Sequence, residues 1–169
     1  MTPASGFAES GSVRDRVHYL LIPSDDPRWT GAVRALEPGE ALEALAEVLG
    51  DPEADVRARR QAALMVGLIG DQRGIPLLVQ AAADPDEVLR ARTVEAFANL
   101  GREHPEASRR VVDAVRDEGS FVRETAARAL GSLALPESPS LLAELARDTA
   151  PEVRRAAEEA KRALEGGGA

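Results

Sequence analysis

One spacing constrains this chain more than any other feature. An Asp stands six residues before an Arg, and a branched apolar residue sits immediately before the Arg, four times over. The pairs are Asp51 and Arg57, Asp84 and Arg90, Asp117 and Arg123, and Asp148 and Arg154. The steps between the Arg residues are 33 (57 to 90), 33 (90 to 123) and 31 (123 to 154). A period of this length, held through four copies, means one supersecondary unit stacked several times.

Inside each unit the apolar residues follow helical spacing. Leu42, Leu45, Ala46 and Leu49 fall at i, i+3, i+4 and i+7, one face of a helix. Ala62, Val66 and Ile69 continue on a second helix, and the alternation repeats three times. Ile75, Leu78, Val79 and Ala82 precede Leu89, Thr93, Ala96, Phe97 and Leu100. Val111, Val112 and Val115 precede Val122, Ala126, Ala129, Leu130 and Leu133. Leu141, Leu142 and Leu145 precede Val153, Ala157, Ala160 and Leu164. Pro38-Gly39 reads as a turn, Gly50, Gly70 and Gly101 as helix stops, and Asp51-Pro52 and Asp84-Pro85 as helix openings. Each unit is then two antiparallel helices joined by a short turn. A hairpin of this size cannot bury its apolar side alone, so neighbours must lean on one another. The predicted fold is all-α, a right-handed α-solenoid (superhelix) of antiparallel helix pairs, with about four pairs over residues 40–165. Residues 13–39 are expected to form N-terminal capping helices with Trp29 inside, 1–12 a flexible tail and 166–169 a disordered end. The last helix carries Arg154-Arg155 and Glu158-Glu159 and lacks a large mid-helix apolar residue, the polar surface of a terminal cap.

Composition agrees and removes several functions. At 169 residues one domain is expected, and 44% apolar with only 3% aromatic residues makes a core of Ala, Leu and Val, suited to close helix packing. There is no Cys, which excludes disulfides, thiolate metal sites and a Cys nucleophile. The net charge of −8 argues against a surface that tracks phosphates, so nucleic acid is a poor partner. No apolar run reaches the ~20 residues of a membrane span and no secretory signal is visible, so the expected location is cytoplasmic. His18 and His104 are the only imidazoles and lie far apart, short of the three or four ligands a metal needs. No nucleophile motif and no phosphate-binding Gly loop occurs. No catalytic residue, metal ligand or cofactor is assigned.

The run Leu68-Ile69-Gly70-Asp71-Gln72-Arg73-Gly74-Ile75-Pro76-Leu77-Leu78, with Asp84-Pro85-Asp86 and Leu89-Arg90 after it, resembles HEAT-like repeats of the phycobilisome-lyase type. Val122-Arg123-Glu124-Thr125-Ala126-Ala127-Arg128-Ala129-Leu130-Gly131 carries the same resemblance, which spans about residues 40–165. It implies a HEAT/armadillo-like superhelix. It also implies a structural ladder in which Asp and Arg of adjacent repeats bond along the stack, here Asp51, Arg57, Asp84, Arg90, Asp117, Arg123, Asp148 and Arg154. In the first full repeat 13 residues separate Arg57 from Gly70, against 11 from Arg90 to Gly101, so Arg59 is the alternative to Arg57.

In such stacks the second helix of each pair lines the inner side. The outward positions there offer Arg60, Arg92, Glu95, Asn99, Glu124, Arg128, Arg155 and Glu159, a mixed-charge strip. The reading that follows is a non-enzymatic protein-interaction module, a small adaptor, scaffold or regulator whose partner is another protein segment docked on that face. A lyase- or chaperone-type helper for a chromophore or cofactor protein is the alternative, implied by the resemblance alone. Nucleic-acid binding comes third. Weak self-association through an end of the stack stays open.

Overall fold

The computed structural model describes residues 12–22 and 27–166. Most of the expected tail, residues 23–26 of the expected capping segment and residues 167–169 lie outside the described residues.

Ten α-helices follow one another among the described residues: α1 (Val13–Leu20), α2 (Trp29–Arg34), α3 (Pro38–Gly50), α4 (Val56–Ile69), α5 (Ile75–Ala81), α6 (Glu87–Gly101), α7 (Pro105–Asp113), α8 (Ser120–Leu133), α9 (Ser138–Leu145) and α10 (Pro151–Gly166). A single 3₁₀ turn leads into α5 and another leads out of α7. No strand occurs among these residues.

The helix ends have local causes. Pro38 stands in the first turn of α3, so Pro38-Gly39 opens a helix where a turn was expected. Pro76, Pro105, Pro139 and Pro151 stand in the first turns of α5, α7, α9 and α10. Gly70 ends α4 in the left-handed conformation at φ 77°, and Ala134 ends α8 the same way at φ 51°. The side chain of Asp55 caps α4 and that of Asp86 caps α6. The expected openers Asp51 and Asp84 lie further upstream and fold the approach to each helix. Their carboxylates accept the amides of Glu53 and Asp86 at 2.9 Å.

Consecutive second helices pack closely, α4 on α6, α6 on α8 and α8 on α10. Small residues permit this approach. A Cβ added at Gly67 would overlap the backbone of Ala96, and one at Gly131 would lie 2.8 Å from the Cβ of Ala160. The first helices α5, α7 and α9 mostly touch second helices and leave grooves between themselves. A row packed tightly along one layer and loosely along the other curves toward the tight layer, so the second helices line the concave side. The core between the layers runs from Leu42 and Leu45 through Leu78, Leu89 and Phe97 to Leu130, Leu142 and Val153, all buried. At one end α1 packs on α3 and α2 on α4, with Trp29 buried and its indole N–H donating to the Leu20 carbonyl at 3.0 Å. The result is an all-α solenoid.

Candidate functional site: a polar ladder behind a concave face

Three inter-repeat ion pairs join the start of one second helix to the turn that precedes the next. The Arg90 guanidinium donates through Nε and Nη2 to Asp117 at 3.1 and 2.9 Å, and Arg123 donates in the same way to Asp148 at 2.7 and 2.9 Å. Each uses Nη1 to hold two carbonyls of its own turn: Asp84 and Pro85 for Arg90, Asp117 and Glu118 for Arg123. The planar fork of Arg suits this division, two donors for a carboxylate and a third for the backbone. Arg59, rather than Arg57, reaches Asp84 at 2.5 Å. Arg57 is exposed, and the Asp51 carboxylate accepts the Glu53 amide of its own turn. The reason is register. Arg59 stands 11 residues before Gly70, as Arg90 does before Gly101 and Arg123 before Ala134. The step from Asp to ladder Arg is two residues longer here, eight from Asp51 to Arg59 against six from Asp84 to Arg90, and Val56, three residues before Arg59, is 38% exposed. This rung is also less complete, since the buried Nε of Arg59 has no partner. At the far end Arg154 holds the carbonyls of Asp148 and Thr149 at 2.8 Å, with no further Asp ahead of it among the described residues.

The surrounding bonds favour the ionised form of two ladder carboxylates, Asp117 and Asp148. The side chain of Arg123 keeps Asp148 below the ordinary carboxylate range against the opposing effect of burial. Burial works against the charge of Asp117, but Arg90 and the Gly119 amide together outweigh it and the net direction is down.

A second series, which the Asp–Arg spacing does not reveal, runs beside the first. Arg60 grips Asp86 with two bonds of 2.8 and 2.6 Å. Glu87 of α6 accepts the Phe121 amide at 2.8 Å, supplying the first turn of α8 with the cap that Gly119 cannot give. Ser120 donates to Glu152 of α10 at 3.0 Å. Glu87 and Ser120 stand at the same place, three residues before Arg90 and Arg123, while Glu152 stands two before Arg154.

With Arg59, Arg90, Arg123 and Arg154 aligned, equivalent positions on the second helices fall into rows. The row nearest the ladder holds Arg57, Val88, Phe121 and Glu152. A deeper row holds Leu64, Glu95, Arg128 and Glu159, and the last Leu68, Asn99 and Ser132. Arg92 pairs with Glu95 at 2.6 Å within α6, and Asn99, Arg155 and Glu159 are exposed. Glu124 requires a correction, because it is 8% exposed and lies between helices. Its equivalent on α6 is the fully buried Ala91, and one residue past the ladder Arg a second helix faces its neighbour. Arg128 covers it at 2.5 Å and reaches the surface in its place. Arg60 is partly withdrawn by its pairing with Asp86. The half-buried apolar residues Leu64, Leu68, Val88 and Phe121 belong to this face and were absent from the expected strip. Among the described residues no group of three or more His, Asp or Glu side chains is placed to hold a metal ion.

A family model for HEAT repeats matches residues 23–98 and 75–162. A comparison with curated proteins gives no match. Among solved structures, the complex of CpcE and CpcF of phycocyanin lyase from Nostoc is similar at 21% identity and a TM-score of 0.63, covering 96% of this chain and 68% of that one. The YibA protein of E. coli is similar at 18% identity and a TM-score of 0.66, covering 93% and 64%. A designed armadillo repeat protein in complex with the peptide (KR)4 is similar at 17% identity and a TM-score of 0.52, covering 94% and 84%.

Proposed function

This chain belongs to the HEAT-repeat family, and from that premise we propose that it is a non-enzymatic protein-interaction module that docks an extended protein segment across the concave face. Repeat folds of this kind are typical of interaction scaffolds, which use extended concave surfaces to bind. The observation that carries the reading is the register of the second helices, which brings Leu64, Val88, Arg92, Glu95, Asn99, Phe121 and Arg128 onto one side. The apolar residues Leu64, Val88 and Phe121 supply area, while the ion pairs and Asn99 set register and specificity.

The character of the segment follows from charge. Arg60 faces Asp86, Arg92 faces Glu95, and Arg128 faces Glu124, so the face has no surplus of either sign. A polybasic peptide like the one held by the designed armadillo protein is a poor match, and a segment of mixed charge with one or two apolar anchors is a better one. Peptides selected from a displayed library on the intact protein test this. Arg92→Glu with Arg128→Glu should weaken a selected peptide tenfold or more, whereas Glu43→Ala on the convex side should not. Equal losses from both would reject the concave face. A visible absorbance shift on adding a tetrapyrrole would favour the chromophore-helper role.

A further inference from the structure

On the opposite, convex side the structure leaves a cavity of about 220 Å³ between α5 and α7. Its floor is apolar: Val94 and Phe97 of α6 and Val122 of α8, each nearly or wholly buried. Its side walls are only Ala82 and Ala114, small residues at the ends of α5 and α7. Its inner wall is the Arg90–Asp117 rung, and its mouth carries Arg110, Asp113 and Arg116.

We propose that this cavity binds a small amphipathic carboxylate, its apolar body on Val94 and Phe97 and its charge at Arg110 and Arg116. Three Arg and two Asp line the site, so the lining is net positive on a chain of net charge −8. The charges are not equally engaged. Asp117 is held by two bonds from Arg90, and Arg90 spends its remaining donor on its own turn. Arg110 and Arg116 have only long contacts, 3.9 Å to Asp113 and 3.8 Å to Glu144, and their side chains are 41% and 71% exposed. Two guanidiniums with donors to spare stand over an apolar hollow. An acyl chain or single ring with a carboxylate satisfies both, whereas a neutral apolar molecule leaves the mouth unused and a cation is repelled there.

Octanoate, 1-octanol and octylammonium have the same chain and different charge, so calorimetric titration of the intact protein separates the contributions. Octanoate should bind best, octanol about tenfold more weakly and octylammonium least. Arg110→Gln with Arg116→Gln should remove the preference of octanoate over octanol while leaving octanol binding in place. Ala114→Leu, checked for its native helical signal, should fill the hollow and abolish both. Octanoate and octanol binding equally, or octanoate binding unchanged in Ala114→Leu, would overturn the site, and so would no binding to the parent protein. The concave-face reading is independent of every one of these outcomes.

Discussion

At the residue scale, the ladder shows how position decides what an ion pair contributes. The side chains of Arg90 and Asp117 are 8% and 18% exposed, and removing the Arg strands a carboxylate in a mostly dry turn. Breaking a pair in such a setting costs far more than a surface pair contributes. Arg90→Ala and Arg123→Ala should each lower stability by about 2–4 kcal/mol in urea titrations. Exposed Arg57→Ala should stay within ~0.5 kcal/mol of the parent. Equal effects at Arg57 and Arg90 would mean that the pairs are ornamental. The same carboxylates give a pH signature. Arg60 holds Asp86 down, Arg123 holds Asp148 down, and Asp117 is lowered despite its burial. A carboxyl group lowered in the folded state adds stability above its ordinary range, near ~3.9, and that part is lost as the pH falls through the folded value. Melting temperature should therefore hold from neutral pH to about pH 5 and drop below about pH 4. The drop should be shallower in Arg123→Ala, which has already lost the contribution of Asp148. Ala134 makes a separate point, because it sits at φ 51° and is exposed. Replacing it with Gly relieves a left-handed residue of its Cβ and should stabilise the protein by about 0.5–1 kcal/mol.

At the scale of elements, the spacing of second helices rests on two glycine contacts. Gly67→Ala would gain about 1 kcal/mol of helix propensity, but its new methyl meets the backbone of Ala96, which cannot rotate away. Overpacking should prevail by about 1–3 kcal/mol, and Gly131→Ala against Ala160 should behave alike. Gly50, with open space around it, is the control and should tolerate Ala. Thermal melts of the three variants decide the matter. The helix pairs themselves were legible in the sequence because apolar periodicity and Pro or Gly punctuation act locally. The shifted first register was not read correctly from Asp51, since a turn of variable length separates that Asp from its helix. Counting back from Gly70 leads to Arg59 directly. The misplacement of Glu124 has a different origin. Facing a neighbouring helix and facing solvent differ by a single residue of rotation, and only the packed row of α6, α8 and α10 distinguishes them.

At the scale of the whole molecule, the stack is asymmetric by composition. The seam that receives the next second helix is Ala63 and Gly67 on α4, Val94 and Ala98 on α6, and Ala127 and Gly131 on α8. The equivalent places on α10 are Glu158 and Arg162, both exposed. Long charged side chains there disfavour the close approach that the small residues of the other seams permit. Glu158→Ala with Arg162→Gly should therefore raise the apparent mass in light scattering as concentration increases, with secondary structure unchanged. A strictly monomeric variant would show that something other than this seam ends the row.

The identical edges of the interior units carry a consequence for how such a chain can change size. Each unit presents a fork on one border and a matching carboxylate on the other, so a duplicate of residues 102–134, one full period that includes the turn before α7, spliced in after Ala134 would find both borders already compatible. Growth would come in whole steps of about 8–10 Å, the distance between packed helices, and the binding trough would lengthen without redesign of either terminus.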